Sequence, residues 1–484
     1  MKRLNRVIPR FRAAFLPSKL RRSVFARLVA LAAMVAGAPA HAAILYWSGN
    51  GSSQGGNGTW DTTNARFGTV AGGPYTTTWN NTTNAADTAL FGGSTATATL
   101  GTNITVRQIT FNNASTVAKD AGNLYSLTAG SGNNLTVSAG GTPRGTGGTI
   151  SAPIVGTGGL VLSNAGGPIV LTGSCTYSGT TIIGSTSQLN LGAGGSIGSS
   201  SGIRVDGTFS TNRSDTITQG VNFSLIAGGG EFIKAGNGTT IFTLVNPYTG
   251  PTTISAGTLQ MGDGGAVGSL GPSSSISVAS GATFAVNRSN SATQASSGGG
   301  FRAISGAGGF TQAGSGTTTL AVTNSYTGPT SVLGGALRIT GTLAATAITV
   351  SSAAILGGSG TTAGDVTFNA GSKFLFNAAA PLNVGGSVTF SDPASFGVDD
   401  IVGLDSSVAE GTYTLIAGNV TTAGLANLGL ANAYDLGSGK SAYFQQGSLQ
   451  VIVVPEPASL SAAAAVAGIA IAMVMRRRRT HPVE

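Results

Sequence analysis

Two motifs of this chain recur at one fixed distance. Residues 235–240 (AGNGTT) correspond to residues 313–318 (AGSGTT), and residues 246–252 (NPYTGPT) correspond to residues 324–330 (NSYTGPT), with the same offset in both cases. A fixed period is typical of repeat proteins, in which each unit packs mainly on its neighbours. The period therefore indicates a stacked architecture rather than one globular core.

An earlier and less regular copy precedes these two. Residues 175–181 (CTYSGTT) carry the tyrosine motif at a slightly shorter offset from its second copy, and residues 189–192 parallel residues 259–262. Between the motifs, residues 208–215 are similar to residues 283–290. The sequence thus predicts at least three copies of one unit.

Short runs of β-branched and apolar residues lie between turns rich in glycine and asparagine. Examples are residues 104–106, 160–162, 240–245 and 317–322. Such runs are typical of short strands, and Gly and Asn accept the positive-φ conformations of tight corners. Between residue 43 and the C-terminal tail the sequence has no long segment with a helical period. We therefore predict an all-β fold.

The consensus of the copies reads G-x-G-T-T-x-x-L, then N-x-Y-T-G-P-T, then A-G-x-L-x-x-G. This unit resembles the autotransporter-associated β-strand repeat, with copies near residues 158–192, 229–262 and 308–341. The resemblance implies a right-handed parallel β-helix, or β-solenoid, whose strands stack about 4.8 Å apart. We interpret the three motif tyrosines as structural corner or ladder residues, with ligand stacking as the alternative. They are Tyr177, Tyr248 and Tyr326.

The C-terminus carries three signals in order: the tripeptide Pro455, Glu456 and Pro457, an uncharged apolar segment over residues 458–475, and a block of arginines. A helix over that segment, at about 1.5 Å per residue, is about 27 Å long and matches the hydrocarbon core of a bilayer. The positive-inside rule keeps the arginines cytoplasmic. They are Arg476, Arg477, Arg478 and Arg479.

This order of signals over residues 454–484 resembles a PEP-CTERM protein-sorting signal. The resemblance implies one transmembrane helix at about residues 458–475 and an exosortase-type processing enzyme as a partner. It also implies inner-membrane anchoring in transit, followed by delivery to the cell surface, the outer membrane or the extracellular matrix. An ordinary single-pass anchor with a stop-transfer block is the alternative.

The N-terminus has the features of a secretory signal peptide over residues 1–42. Nine basic residues and no acidic residue lie in residues 1–27, and an apolar stretch follows over residues 28–38. Ala40 and Ala42 then form an A-x-A cleavage site. We expect the general secretion machinery and signal peptidase to act here, so that the mature chain begins at Ala43.

The positive charge of the chain lies mostly in these two terminal segments. The chain has 25 basic and 16 acidic residues, but nine basic residues lie in the N-terminal segment and four in the tail. The exported part therefore has 12 basic and 15 acidic residues, a net charge of about −3. This balance excludes a nucleic-acid partner that depends on a basic surface.

We divide the exported part into three regions: residues 43–99, a β-helix over residues 100–390, and a C-terminal β region over residues 391–453. All three tryptophans of the chain lie in the first region. We interpret them as a cap that covers the open end of the solenoid, because an uncovered sheet edge promotes aggregation. An aromatic carbohydrate-binding platform is the alternative. The residues are Trp47, Trp60 and Trp79.

The residues for catalysis are sparse. The two histidines, His41 and His481, lie in the terminal segments, so the exported part lacks histidine for a catalytic triad or a metal site. Cys175 is the one cysteine and is expected to be a buried thiol, with an intermolecular disulfide as the alternative.

Acidic residues are densest in one loop-like stretch. We interpret them as solvated charge, with a weak Ca²⁺ site and a carboxylate active site as the alternatives. They are Asp392, Asp399, Asp400, Asp405 and Glu410; three others are scattered, at Asp206, Asp215 and Asp263.

From these observations we expect a non-enzymatic, exported surface or matrix protein with a structural or adhesive role and no cofactor. Exopolysaccharide is the expected matrix partner, and the C-terminal helix makes the membrane contact. The alternative is a carbohydrate-binding or polysaccharide-degrading β-helix protein.

Overall fold

The computed structural model describes residues 43–112, 114–118, 127–129, 135–139, 147–163, 167–271, 275–294, 300–445 and 449–455. All of them except Ala43 lie in one unit that begins at Ile44. This unit is an all-β right-handed solenoid of more than a dozen turns. Its described helices are three short 3₁₀ helices, Pro393–Ser395, Val398–Asp400 and Leu430–Asn432.

The first strands run from the N-terminal region to the first tyrosine motif. They are β1 (Ile44–Trp47), β2 (Gly58–Trp60), β3 (Ala65–Gly68), β4 (Thr77–Thr78), β5 (Thr88–Phe91), β6 (Thr97–Leu100), β7 (Ile104–Val106), β8 (Gln108–Phe111), β9 (Thr116–Ala118), β10 (Leu127–Ala129), β11 (Leu135–Ala139), β12 (Gly148–Ile150), β13 (Ile154–Val155), β14 (Leu160–Leu162) and β15 (Pro168–Leu171).

The middle strands contain most of the three copies of the repeat. They are β16 (Thr181–Ile183), β17 (Gln188–Leu191), β18 (Ile203–Val205), β19 (Thr208–Thr211), β20 (Ile217–Thr218), β21 (Ile226–Ala227), β22 (Glu231–Lys234), β23 (Thr239–Phe242), β24 (Thr252–Ile254), β25 (Thr258–Met261), β26 (Ile276–Val278), β27 (Thr283–Val286), β28 (Ala292–Thr293), β29 (Ile304–Ser305), β30 (Gly309–Gln312), β31 (Thr317–Leu320), β32 (Thr330–Val332) and β33 (Ala336–Ile339).

The last strands complete the solenoid and add an antiparallel sheet. They are β34 (Thr342–Leu343), β35 (Ile348–Val350), β36 (Ile355–Gly358), β37 (Thr361–Thr362), β38 (Val366–Phe368), β39 (Lys373–Leu375), β40 (Leu382–Phe390), β41 (Ile401–Val402), β42 (Gly411–Val420), β43 (Tyr434–Gly437), β44 (Lys440–Gln445) and β45 (Leu449–Pro455).

Strict alternation of buried and outward-facing residues explains why these short segments are strands. In β19, Phe209 and Thr211 are buried whereas Thr208 and Ser210 face outward, and most four-residue strands follow the same pattern. Side chains alternate between the two faces of a strand. Each strand therefore places one or two apolar side chains inside the coil. Stacking the turns joins these side chains into one continuous core.

The strands form three faces of a coil, which we call faces 1, 2 and 3. Face 1 contains β1, β5, β8, β11, β14, β16, β18 and β21, and later β28, β31, β33, β36, β39 and β41. Face 2 contains β2, β6, β9, β12, β15, β17, β19, β22, β24, β26 and β29, and later β34, β37 and the start of β40. Face 3 contains β7, β10 and β13, and later β20, β23, β25, β27, β30, β32, β35, β38 and the end of β40.

Single bridges carry each face across turns where it has no full strand. These bridges are Ser174↔Ser196 on face 3, Val245↔Ser269 on face 1 and Asn324↔Leu343 on face 2. All three are parallel, as are the strand pairs of the coil. The three faces are therefore continuous, although the strands alone divide into five sheets.

The period of the repeat does not equal a whole number of turns. β21 begins at Ile226 on face 1, and its counterpart in the next copy, β29, begins at Ile304 on face 2. From β21 to β29 the chain completes three full turns of the coil and then continues by one further face. Each copy of the repeat is therefore rotated by a third of a turn relative to the copy before it.

Aromatic rings fill the coil in consecutive turns. Phe209 lies 5.8 Å from Phe232, and Phe232 lies 4.9 Å from Phe242, measured between ring centroids. In the next copy Phe284 lies 5.5 Å from Phe301 and 6.0 Å from Phe310. All of these side chains are fully buried, so the interior is a packed aromatic and aliphatic column.

The C-terminal end of the solenoid is closed by an antiparallel sheet and an aromatic plug. β42 pairs in parallel with β40, and β45, β44 and β43 then follow in antiparallel order. Phe396, which follows the first 3₁₀ helix, lies 4.5 Å from Phe390 and 6.1 Å from Phe444. These rings cover the last turn and shield its core from water.

The predicted all-β right-handed solenoid is confirmed. In the C-terminal β region placed at residues 391–453, the structure has the long strands β42, β44 and β45. Within the described residues, no helix is long and apolar enough to cross a membrane. The predicted signal peptide (residues 1–42) and the predicted transmembrane segment (about 458–475) lie outside the described residues.

Candidate binding surface

The motif tyrosines are buried at three different corners of the coil. Tyr177 precedes β16 on face 1, Tyr248 precedes β24 on face 2, and Tyr326 precedes β32 on face 3. Each hydroxyl lies 2.5–2.7 Å from the hydroxyl of the threonine four residues later. Burial raises the pKa of Tyr177 and of Tyr326. The structural interpretation is confirmed, and stacking of these rings on a ligand is wrong because they are at most 1% exposed.

The backbone at each tyrosine corner forms a hydrogen bond with a glycine of the preceding turn. The backbone N–H after each tyrosine donates to a glycine carbonyl, as in Thr249 to Gly228 at 2.8 Å and Thr327 to Gly306 at 3.0 Å. Gly306 has φ +101°, and a Cβ there would lie 2.2 Å from the carbonyl oxygen of Val278. Any side chain at this position would be strained and would clash. The repeat therefore encodes core and corner geometry rather than an exposed site.

The three tryptophans form a closed aromatic cluster. Trp47, Trp60 and Trp79 are 0% exposed and pack with Phe67 and Phe91. Trp60 lies 5.1 Å from Trp79 and 6.5 Å from Trp47, measured between ring centroids. A sugar cannot reach these faces, so the aromatic platform considered from the sequence is wrong.

Cys175 is buried in the first tyrosine motif. Its Sγ lies 3.6 Å from the carbonyl oxygen of Gly173, and burial raises its pKa to about 11. The prediction of a buried thiol is confirmed. A disulfide to another chain is incompatible with this position, because the sulfur is inaccessible.

The acidic stretch is spread over the loops that follow β40. Asp392, Asp399, Asp405 and Glu410 are exposed, and Asp400 is half-buried. Oδ2 of Asp400 accepts a hydrogen bond from the N–H of Gly397 at 3.0 Å, while burial raises the pKa of Asp400. In the described part of the chain, no three His, Cys, Asp or Glu side chains gather in a way that could hold a metal ion.

The scattered acidic residues also fail to form a carboxylate pair. Asp215 forms a salt bridge with Arg213 at 2.5 Å, which lowers the pKa of Asp215. Asp206 forms another with Arg204 at 2.9 Å. Oδ1 of Asp263 accepts the N–H of Gly265 at 3.1 Å. Each of these carboxylates stabilises a local turn or side chain.

The predicted sorting residues are only partly described. Pro455 ends β45 and is paired with Lys440 of β44. Ala43 is exposed just before β1. The other predicted processing residues lie outside the described residues: Ala40, Ala42, Glu456, Pro457, Arg476, Arg477, Arg478 and Arg479.

The exposed feature that sequence reasoning missed is a column of hydroxyl side chains on face 3. Successive strands β30, β32, β35, β38 and β40 pair in parallel and place these residues in direct register. We call this column the hydroxyl ladder. Its members are Thr311, Ser331, Thr349, Thr367 and Thr389.

The hydroxyl ladder is regular in spacing and faces outward. Neighbouring strands in a sheet lie about 4.8 Å apart, so its five rungs extend over about 19 Å. Thr349 and Thr389 are exposed and the other three members are half-buried. Within the described chain, Thr311, Ser331 and Thr349 make no side-chain hydrogen bond, while Thr367 and Thr389 lie 3.3 Å apart between hydroxyls. Most rungs are therefore available to a partner.

Comparison with known proteins agrees with the architecture. A family model described as the passenger-associated-transport-repeat matches residues 232–261 and 310–339, which are the stretches from β22 to β25 and from β30 to β33. These matches confirm the repeat resemblance for the second and third copies.

The chain is also 34% identical over 268 residues to the adhesin BmaC autotransporter of Brucella suis biovar 1 (strain 1330). The aligned part covers 50% of this chain and 7% of that protein, so the chain spans only a small part of its relative's length. No solved structure matches the chain.

Proposed function

We propose that this protein is an exported β-solenoid that acts outside the cell as an adhesive or structural element and catalyses no reaction. The observation that carries the proposal is the continuous three-faced coil, two stretches of which match the passenger-associated-transport-repeat. A coil of this kind offers long regular faces rather than a pocket. The likeness to an adhesin autotransporter supports a surface role.

The chemistry of the described residues supports a role without catalysis. Asp206, Asp215 and Asp405 each bond to a residue two positions away in the same turn, and the motif tyrosines are used in corners. Polysaccharide cleavage by a β-helix would need two converging carboxylates.

The test is display on intact cells. Externally added protease should remove the protein from whole cells, and deleting its coding sequence should reduce attachment of those cells to a surface. Deletion complemented by the full chain is the control. Retention of the whole protein in the cytoplasm, or unchanged attachment after deletion, would contradict the proposal.

We further propose that the C-terminal segment is an exosortase-dependent sorting signal. β45 lies between β42 and β44 and stays paired up to Pro455, so the folded sheet continues to the first residue of the tripeptide. The apolar segment that follows in the sequence would hold the substrate in the membrane, and Arg476–Arg479 would oppose its passage, since each Arg costs about 2.5–3.5 kcal/mol at a helix centre.

Substitution of the tripeptide tests this sorting proposal. Glu456→Ala with Pro457→Ala should leave membrane insertion intact and block processing. The unprocessed form should then be about 3 kDa heavier, the mass of a tail long enough to span a bilayer. If mass spectrometry finds the wild-type C-terminus intact in a host that has an exosortase, the sorting proposal is wrong and the segment acts only as a membrane anchor. The same spectra test cleavage between Ala42 and Ala43.

A further inference from the structure

We propose that the hydroxyl ladder of face 3 binds an uncharged linear polysaccharide that lies along the solenoid axis. This inference deepens the proposed surface function and rests on it. It assigns the contact to the ladder residues Thr311, Ser331, Thr349, Thr367 and Thr389, not to the aromatic residues of the N-terminal region.

The first argument is shape. The ladder is a single column of threonine and serine side chains in direct register, one in each of five consecutive turns, over about 19 Å. A linear polymer can follow such a column, whereas a compact ligand would touch only one or two rungs. A hydroxyl both donates and accepts hydrogen bonds, so a column of hydroxyls suits a ligand whose own groups are hydroxyls.

The second argument is charge. The residues two positions after the five rungs are Ala313, Leu333, Ser351, Asn369 and Ser391, and those two positions before are Gly309, Pro329, Ala347, Asp365 and Ser387. Asp365 is the one charged residue of these flanking columns, and its Oδ1 already accepts the N–H of Ser387 at 2.7 Å. With no cation in these columns, the surface disfavours an anionic polymer and suits a neutral one.

The third argument is that other outward columns are interrupted. Hydroxyl runs on the other faces are shorter. On face 2, Thr97, Thr116 and Thr149 lead to Val170, and Thr253, Ser277 and Ser305 follow Ile233. On face 1, Thr293 and Thr319 lead to Arg338. The face 3 column itself passes through Ile241, Gln260 and Ala285 before the five hydroxyl rungs. The repeat rotates between copies, so this run is not a by-product of one repeated position. It reflects the residues that five different turns place on one face.

Each rung contributes little, because a hydrogen bond that replaces one to water gives a small net gain. Binding therefore depends on several rungs acting together on one polymer. We expect affinity to be modest for short oligosaccharides and to increase with chain length.

Affinity electrophoresis of the full chain in mild detergent tests the inference. The gels contain hydroxyethyl cellulose, laminarin or dextran, which are neutral, or alginate, which is anionic. At least one neutral glucan should retard the wild-type protein more than alginate does. Thr349→Val with Thr367→Val keeps the β-branched shape and removes two adjacent hydroxyls. This variant should bind about tenfold more weakly, the loss expected for two hydrogen bonds.

The matched control is Thr293→Val with Thr319→Val, which removes two adjacent outward hydroxyls from face 1 and should bind like wild type. Circular dichroism checks that each variant keeps its strands. If the double variant does not fold, Ser331→Ala with Thr389→Val tests the other rungs in the same assay.

Three results would overturn the inference. The first is that no neutral glucan retards the wild-type protein. The second is that the ladder variants are retarded as much as the wild type, and the third is that alginate retards the wild type more than every neutral glucan does. Dissociation of a wild-type oligomer by the ladder variants, measured by analytical ultracentrifugation, would assign the face to a second copy of the chain instead. Failure of the surface role would appear separately, because protease treatment of intact cells does not depend on the ladder.

Discussion

Gln219 and Asn246 form a reciprocal amide pair inside the solenoid. Nε2 of Gln219 donates to Oδ1 of Asn246 at 2.6 Å, and Nδ2 of Asn246 donates to Oε1 of Gln219 at 3.1 Å. Gln294 and Asn324 repeat the pair at 2.7 and 3.0 Å. All four side chains are buried, so the motif asparagine links consecutive turns where a full strand is missing.

Asn246→Ala should destabilise the coil by about 3 kcal/mol, because buried groups that lose a partner cost about 1–3 kcal/mol each. The change leaves the N–H of Ile226 and the carbonyl of Ser269 without their hydrogen bonds. The measurement is the thermal unfolding midpoint together with hydrogen exchange of these turns. Asn237→Ala, at an exposed asparagine of the same copy, should change stability by less than about 0.5 kcal/mol. Equal effects would contradict the role of the pair.

Cys175→Asn should also destabilise the protein, although it restores the residue found in the other two copies. Gln219 and Gln294 follow Thr218 and Thr293, which pair with the residues five positions before the motif asparagines. In the first copy the residue paired five positions before Cys175 is Thr149, and Ile150 follows it in place of a glutamine. A buried amide would therefore lack its glutamine, at a cost of about 1–3 kcal/mol. Cys175→Ala is the control for the loss of the thiol alone. If Cys175→Asn is at least as stable as wild type, this account of the first copy fails.

The Cys175 thiol should be unreactive in the folded protein. Burial raises its pKa from 9.0 to about 11, so little thiolate forms at pH 8, and the sulfur is inaccessible. A thiol reagent such as DTNB should label less than a tenth of the protein before unfolding and one equivalent in denaturant. Rapid full labelling under native conditions would show that this corner opens.

Lys234→Gln should stabilise the protein at neutral pH. Burial lowers the pKa of Lys234 from 10.5 to about 8, so the folded state binds fewer protons than the unfolded state between these values. The free energy of unfolding of the wild type should therefore rise as pH increases from about 8 to 10.5. Gln312 occupies the equivalent position of the next copy, and its Nε2 donates to the carbonyl of Gly314 at 2.7 Å, so glutamine fits the site.

The advantage of Lys234→Gln should be largest near pH 7 and should shrink towards pH 10, as measured by denaturant unfolding across that range. Lys373→Gln, which changes a half-buried lysine of β39, is the control for removing a lysine from the coil. A pH-independent difference between Lys234→Gln and wild type would mean that the buried charge does not limit stability.

Trp60→Ala should cost about 3–5 kcal/mol, the usual loss for a large buried aromatic residue. Its ring centroid lies 5.6 Å from that of Phe67, 5.1 Å from that of Trp79 and 5.7 Å from that of Phe91. The expected signs are a lower unfolding midpoint and faster proteolysis of the first turns. Trp60→Phe keeps part of the packing and should cost less. In the wild type, iodide should quench tryptophan fluorescence only weakly, whereas strong quenching would indicate exposed rings.

The tryptophans mark one limit of sequence reasoning. Their number and clustering were evident, but the segments around Trp60 and Trp79 lack the regular alternation that tells an inward residue from an outward one. Whether the rings formed a closed cluster or an open platform was decided by how β1, β2 and β5 fold over one another. Aromatic residues serve both purposes, so composition alone cannot distinguish them.

The sequence by itself determined the short strands, the glycine corners and the repeated tyrosine motif, because alternation and turn chemistry are local properties. Tertiary structure alone decided which residues share a face. The ladder residues from Thr311 to Thr389 are unevenly spaced along the chain. In some turns a single bridge, such as Val245↔Ser269, takes the place of a strand on one face. The column exists because hydrogen bonding between turns fixes their register, whatever the length of the corner between them.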